Sequence, residues 1–90
     1  TLEAVIRDRL ENPAAGSYTA SLATSGRQRI AQKVGEEAVE LALASVSDNR
    51  EEIIDEAADL VYHLLVLLQE QDLELGHVIA RLRERHGDKS

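Results

Sequence analysis

Apolar residues recur along this chain at steps of three and four, with no sustained alternation, so the pattern is helical throughout. Leu2, Val5, Ile6 and Leu10 form the first stripe, which stops at Asn12-Pro13 because proline disfavours helical geometry in the residue before it. Pro13 to Ser17, with Gly16, reads as a turn or loop, and Tyr18 to Ala23 has room for a further helical turn. Ser25-Gly26 opens a long helix whose core stripe is Ile30, Val34, Ala38 and Leu41, fading at Ser45. Gly35 lies inside it at a cost of about 1 kcal/mol relative to alanine, which points to close approach of a backbone or ligand. Ser47-Asp48-Asn49 breaks the pattern, and Asp48 or Asn49 is expected to cap the next helix, with Glu51 and Glu52 in its first turn. That helix runs to about Gln71. Asp72 is expected to cap a final helix, Leu73 to His86, ended by Gly87. The predicted fold is all-α, one domain over residues 1–90, with four to five helices in a bundle.

Composition sharpens this. A chain of 90 residues buries only about 60 to 65% of the surface that its unfolded form exposes. With two tyrosines and no Phe, Trp or Met, the core must come from Leu, Val, Ile and Ala. The segment Ala57 to Leu68 is apolar on more faces than one small bundle can cover, which predicts a homodimer. A formal net charge of −7 argues against a nucleic-acid partner, whose binding depends on Lys and Arg releasing phosphate counterions. A small polyphosphate held through metal ions is still compatible with it. The absence of cysteine removes disulfides, thiolate zinc sites and cysteine nucleophiles. Thr1 to Asn12 contains no apolar stretch of signal-peptide length, and the longest apolar stretch, Leu64 to Leu68, is far short of the roughly 20 residues that span a bilayer. Membrane insertion is not expected, and a cytoplasmic protein is the simplest reading.

The chemistry lies in two acid clusters, Glu36-Glu37-x-x-Glu40 and Glu56-x-x-Asp59. At about 100° per residue, Lys33, Glu36, Glu37 and Glu40 share an arc of roughly 100° beside the core stripe, while Glu52, Glu56, Asp59 and His63 stack along the next helix. Glu-rich helix faces are commonly just solvated. Here, however, Asp59 sits in a stretch, Ala57 to Leu68, whose only other polar side chains are Tyr62 and His63. A helix that is apolar all round is normally buried, and a buried carboxylate needs a partner or a metal. Five carboxylates brought together repel one another, and a hard divalent cation resolves that repulsion. Oxygen-only ligands suit Mg2+, completed by water and phosphate oxygens. Arg27, Arg29 and Lys33 open the acidic helix, either as surface ion pairs or as a phosphate clamp beside the metal. His63 reads as a core histidine bonded to Tyr62 or a backbone carbonyl, and it is given no catalytic role. Glu74-x-x-His77 has the spacing of a di-iron ligand pair, but occurs once where such bundles use it twice.

Lys33-Val-Gly-Glu-Glu-Ala-Val-Glu40, followed after fifteen residues by Glu56-Ala-Ala-Asp-Leu-Val-Tyr-His63, resembles the E-E-x-x-E and E-x-x-D motifs of the all-α, MazG-like nucleotide pyrophosphohydrolases. Asp8-Arg9-x-x-Asn12-Pro13-x-x-Gly16-Ser17-Tyr18-Thr19 narrows the resemblance to the phosphoribosyl-ATP pyrophosphatases of histidine biosynthesis. It covers Leu2 to His86. The resemblance implies a magnesium-dependent hydrolysis of phosphoribosyl-ATP to phosphoribosyl-AMP and pyrophosphate by a helical homodimer. Glu36, Glu37, Glu40, Glu56 and Asp59 match the family's metal-binding carboxylates. In the same reading Ser17, Tyr18 and Thr19 supply hydroxyl donors to the substrate, Arg9 or Arg29 meets its additional phosphate, and Lys33 completes the phosphate clamp; the alternative is that Pro13 and Gly16 merely turn the chain and Tyr18 packs on the bundle. Arg29 stands where related chains often carry lysine, and its planar guanidinium holds phosphate differently from an ammonium. Some relatives are fused to a zinc-dependent cyclohydrolase; the lack of a cysteine or histidine cluster leads to the expectation of a stand-alone form, with an initiator or a few residues absent before Thr1. Two rivals are a nucleotide-sanitising pyrophosphohydrolase of the same superfamily and a non-enzymatic helical dimerisation module. The Asn12 to Thr19 segment argues against the first, and the acid clusters against the second.

Overall fold

The computed structural model describes residues 1–12 and 17–87. Every regular element in them is helical: α1 (Leu2–Glu11), α2 (Tyr18–Ser25), α3 (Arg27–Ala44), α4 (Arg50–Glu70), α5 (Leu75–Leu82) and a π-helical turn, Arg83–Gly87. The all-α expectation agrees with this. The expected turn at Pro13 to Gly16 lies outside the described residues.

The helix ends follow from local chemistry. Thr1 Oγ1 accepts the Ala4 N–H at 3.1 Å and starts α1. Gly26, at φ 91°, holds a left-handed conformation between α2 and α3 that a side chain would strain. Asn49 rather than Asp48 caps α4, its Oδ1 accepting the Glu52 N–H at 3.1 Å. The end of α4 corrects the expected role of Asp72. That residue sits at φ 58°, its N–H bonds Gln69 O at 3.0 Å, and Leu73 N–H bonds Leu68 O at 2.8 Å. This is a Schellman stop for α4, not a cap for the helix that follows.

The last helix therefore starts later than expected, at Leu75. Glu74 N–H donates to His77 Nδ1 at 2.9 Å, so the Glu74-x-x-His77 spacing serves a helix start. A second cap comes from far away in sequence. Glu3 Oε2 accepts the Leu75 N–H at 2.8 Å and the Gln69 side-chain amide at 3.3 Å, so a single carboxylate joins α1, α4 and the N-terminus of α5. Glu3→Ala is expected to cost about 1 to 2 kcal/mol, measured by urea unfolding followed by circular dichroism.

The helical hairpin α3–α4 forms the body of the molecule, with α1 against α4 and α2 packed on α1 and α3. Ile6, Leu22, Ile30, Leu65 and Val66 make the core, flanked by Leu10, Tyr62, Leu67 and Leu75. The buried residues of α4, His63, Leu65, Val66 and Gln69, all lie in its C-terminal half. Nearer its N-terminus, Ile54 and Val61 are exposed in the single chain.

Two expectations are corrected on these helices. The α3 core stripe is Ile30, Val34, Glu37, Leu41 and Ala44, with Ala38 exposed, because the helix is turned so that a carboxylate, not a methyl, faces α4. Gly35 is exposed too, and a Cβ built on it meets nothing within 4 Å, so no close approach within the chain explains it. No helix among the described residues is long and apolar enough to cross a membrane.

Candidate metal centre

The turn of α3 that buries Glu37 points its carboxylate across the hairpin at α4. There Glu56 and Asp59, one turn apart, present theirs, and the three groups offer oxygen atoms within 4.8 Å of one another. Glu37 is buried, Glu56 half-buried and Asp59 exposed, so the cluster grades from the hairpin interior to its surface. Asp59 is thus exposed and not enclosed by its apolar neighbours as its sequence context suggests.

Two atoms of this cluster decide its character. Glu37 Oε2 and Glu56 Oε2 are buried and have no hydrogen-bond partner among the described residues. A buried carboxylate oxygen without a donor is costly, and two of them side by side repel as well. The donor set is all carboxylate oxygen, which fits a hard divalent cation and not a thiolate-seeking one. His63 adds no ligand, since Nδ1 bonds the Asp59 backbone carbonyl and Nε2 the Tyr18 hydroxyl, each at 2.7 Å. The expected backbone-carbonyl partner of His63 is therefore present; Tyr62 meets it only ring edge to ring face, at 5.3 Å and 90°.

Glu36 and Glu40 lie outside the cluster, on the outer side of α3. Lys33 Nζ sits 3.2 Å from Glu36 and 3.4 Å from Glu37, so the ion pair and a place beside the acids are both realised. The Lys33 ammonium is held above its ordinary range, first by its hydrogen bond to Glu36 and against the opposing effect of burial; Glu37 and the Tyr18 phenol add to the rise. Hydrogen bonds from Gln32 and then Lys33 hold the Glu36 carboxyl below the usual range. Of the other cations, Arg29 is exposed and only adds charge near Glu36, and Arg27 is engaged by Glu70 at 2.8 Å. Arg9 is exposed in the last turn of α1.

The hydroxyl segment divides. Ser17 is half-buried at the start of α2, where its carbonyl accepts the Ser21 N–H at 3.0 Å. Tyr18 is 50% exposed, with its ring stacked on Tyr62 at 6.1 Å and its hydroxyl on His63. Thr19 is fully buried and its hydroxyl bonds the Tyr62 hydroxyl, so its side chain faces the core and not a substrate. Residues paired across long sequence separations, Glu3 with Leu75 and Tyr18 with His63, carry no local signal that a pattern of apolar steps reveals.

A sequence model described as phosphoribosyl-ATP pyrophosphohydrolase matches residues 1–86. The chain belongs to the phosphoribosyl-ATP pyrophosphohydrolase family. Individual relatives of this family domain agree. The histidine biosynthesis bifunctional protein HisIE of Yersinia pestis is 60% identical over 85 residues, 94% of this chain and 42% of that protein. The proteins of the same name from Salmonella typhi and Vibrio cholerae are 58% and 56% identical over 85 residues, covering 42% and 40% of their lengths. The chain thus spans about two-fifths of the length of these bifunctional relatives.

Proposed function

We propose that this chain hydrolyses phosphoribosyl-ATP to phosphoribosyl-AMP and pyrophosphate, in histidine biosynthesis and in the cytoplasm, with Mg2+ held by Glu37, Glu56 and Asp59. The observation that carries the proposal is the meeting of the Glu37, Glu56 and Asp59 carboxylates within 4.8 Å, with Glu37 Oε2 and Glu56 Oε2 buried and unpartnered among the described residues, in a chain of this family. The family resemblance adds Glu36 and Glu40 as further acids of the site.

A bound magnesium ion supplies charge neutralisation for the triphosphate and polarisation of its phosphorus. The chain's own residues account for the rest. Water attacks the phosphorus nearest the nucleoside, its bond to the bridging oxygen breaks, and pyrophosphate leaves with the electron pair. Lys33, beside the cluster and only partly shielded by its carboxylates, binds a phosphate oxygen, and Arg29 adds positive charge one turn away. The proton lost by the attacking water goes to a carboxylate acting as general base. Glu36 is the poorest of these, because Gln32 and Lys33 stabilise its charged form, so the role falls to another acid of the site. No nucleic acid or membrane partner enters the reaction.

A second copy of the chain completes the fold in this proposal. Ala31, Gly35, Ala38 and Ala42 line an exposed stripe of small residues on α3, Val39 and Leu43 lie beside it, and Ile54 and Val61 are bare on α4. An interface of standard size covers roughly 800 Å² on each partner, and it would remove this apolar surface from water.

The test is a pyrophosphate-release assay on phosphoribosyl-ATP, ATP and deoxynucleoside triphosphates, with magnesium and with excess chelator. Release from phosphoribosyl-ATP alone, abolished by chelator, is expected. Equal release from deoxynucleoside triphosphates would favour a sanitising enzyme, and undiminished release in chelator would refute the metal reading.

A further inference from the structure

His63 bridges two groups whose hydrogen-bonding options are unequal. The Asp59 carbonyl only accepts, so His63 Nδ1 carries the proton of that 2.7 Å bond. In the neutral ring Nε2 then holds a lone pair, and the 2.7 Å bond to Tyr18 must be donated by the phenol. Tyr18 has one proton and has spent it on the ring. The bonding capacity left to its oxygen is therefore lone pairs alone.

The phenol ring is held by two neighbouring rings. Its ring stacks on Tyr62 at 6.1 Å and 28°, and meets the edge of His63 at 5.7 Å and 85°. Tyr62 is in turn fixed by the buried Thr19 hydroxyl. Yet Tyr18 is half-exposed, and it adjoins the acid cluster through His63, whose other ring nitrogen bonds the backbone carbonyl of Asp59 at 2.7 Å. A group this well oriented, solvent-accessible and adjacent to the site is placed to meet a ligand.

We propose that His63 is a positioning residue that fixes the Tyr18 phenol as a hydrogen-bond acceptor at the edge of the acid cluster, so that Tyr18 takes a sugar hydroxyl of the substrate and not a phosphate oxygen. The inference rests on the phosphoribosyl-ATP reading and revises the donor role expected of Tyr18. Ionised phosphate oxygens are acceptors, and an acceptor facing them is repelled. Sugar hydroxyls can donate, and the ribose that bears the triphosphate presents them next to the phosphates of the substrate. Tyr18 thus helps to set the distance from the cluster at which the sugar stops, and His63 selects this polarity from beneath.

Two measurements test it. The first needs no substrate: ring-nitrogen chemical shifts of 15N-labelled protein are expected to show His63 protonated on Nδ1 and bare on Nε2. A proton on Nε2 would overturn the proposal. The second compares Tyr18→Phe, His63→Asn and His63→Gln in the hydrolysis of phosphoribosyl-ATP. Asparagine places its amide near the position of Nδ1 and loses the Tyr18 bond, whereas glutamine reaches the position of Nε2 and offers an acceptor there. Tyr18→Phe and His63→Asn are expected to raise KM about five- to tenfold, the worth of one hydrogen bond, with kcat little changed. His63→Gln is expected to stay within about twofold of the parent. Equal losses in the two His63 variants, or an unchanged KM in Tyr18→Phe, would mean that the contact is only structural. Should the unmodified chain not hydrolyse phosphoribosyl-ATP, the functional reading fails, and the nitrogen shifts still decide the polarity of Tyr18.

Discussion

Glu37→Gln is expected to reduce turnover of phosphoribosyl-ATP at least a hundredfold, on the order of magnitude that even groups behind a metal's ligands can cost in affinity, and to abolish most of the stabilisation that magnesium confers. The substitution keeps the shape of the side chain in the α3–α4 interface and removes only its charge. At a magnesium concentration about a hundred times the parent's Kd, binding stabilises the fold by about 2.7 kcal/mol. If affinity falls a hundredfold, the same concentration contributes only about 0.4 kcal/mol. For a domain of this size each kcal/mol moves the melting temperature by about 4 to 8 °C, so the difference is easily resolved. Glu56→Gln should behave alike, because its Oε2 is the other buried oxygen without a partner. Glu36→Gln should be milder, since Glu36 lies outside the cluster and faces Gln32 and Lys33 instead. A magnesium-induced rise in melting temperature as large in Glu37→Gln as in the parent would remove Glu37 from the site.

The contrast between Glu36 and Glu37 shows what the pattern of residues conveys and what it hides. Periodicity, Asn12-Pro13 and the Asp48-Asn49 break located the helices, because those signals are local and each has a steric or capping cause. The facing of α3 was less legible. A glutamate inside the core arc reads as a polar position, so the stripe was assigned to Ala38 and the acids to the neighbouring arc, whereas packing turns Glu37 inward and Ala38 outward. The proposed function accounts for the inversion: a carboxylate that shares a cation with Glu56 and Asp59 in that reading has to face the partner helix. The expected set of five acids mixes two kinds of position, those that meet across the hairpin and those, Glu36 and Glu40, that flank it. Spacing alone does not separate them. Contacts such as Glu3 with the start of α5, 72 residues apart, arise only once the chain has folded, and no local motif announces them.

Val61→Glu is expected to convert the protein from a dimer to a monomer without unfolding it, as read by light scattering and circular dichroism together. At about 100° per residue Ile54, Ala58, Val61 and Leu65 share one stripe of α4. Leu65 is buried at 4% exposure under the N-terminal helices, while Val61 and Ile54 are 47% and 55% exposed. The same apolar stripe is thus core at Leu65 and exposed at Val61 and Ile54. A second copy covering it would bury Val61, and a glutamate there would be an unpaired charge in the interface. That costs about 3 to 5 kcal/mol, or a roughly hundredfold to several-thousandfold weaker association. In the monomer the same glutamate faces water and leaves the helices in place. Leu65→Glu separates the two effects, because it puts the charge into the chain's own core and should unfold it. A Val61→Glu protein that kept the mass of a dimer would show that the bare half of α4 is not the interface, and a parent that ran as a monomer at micromolar concentration would show that no second copy is needed.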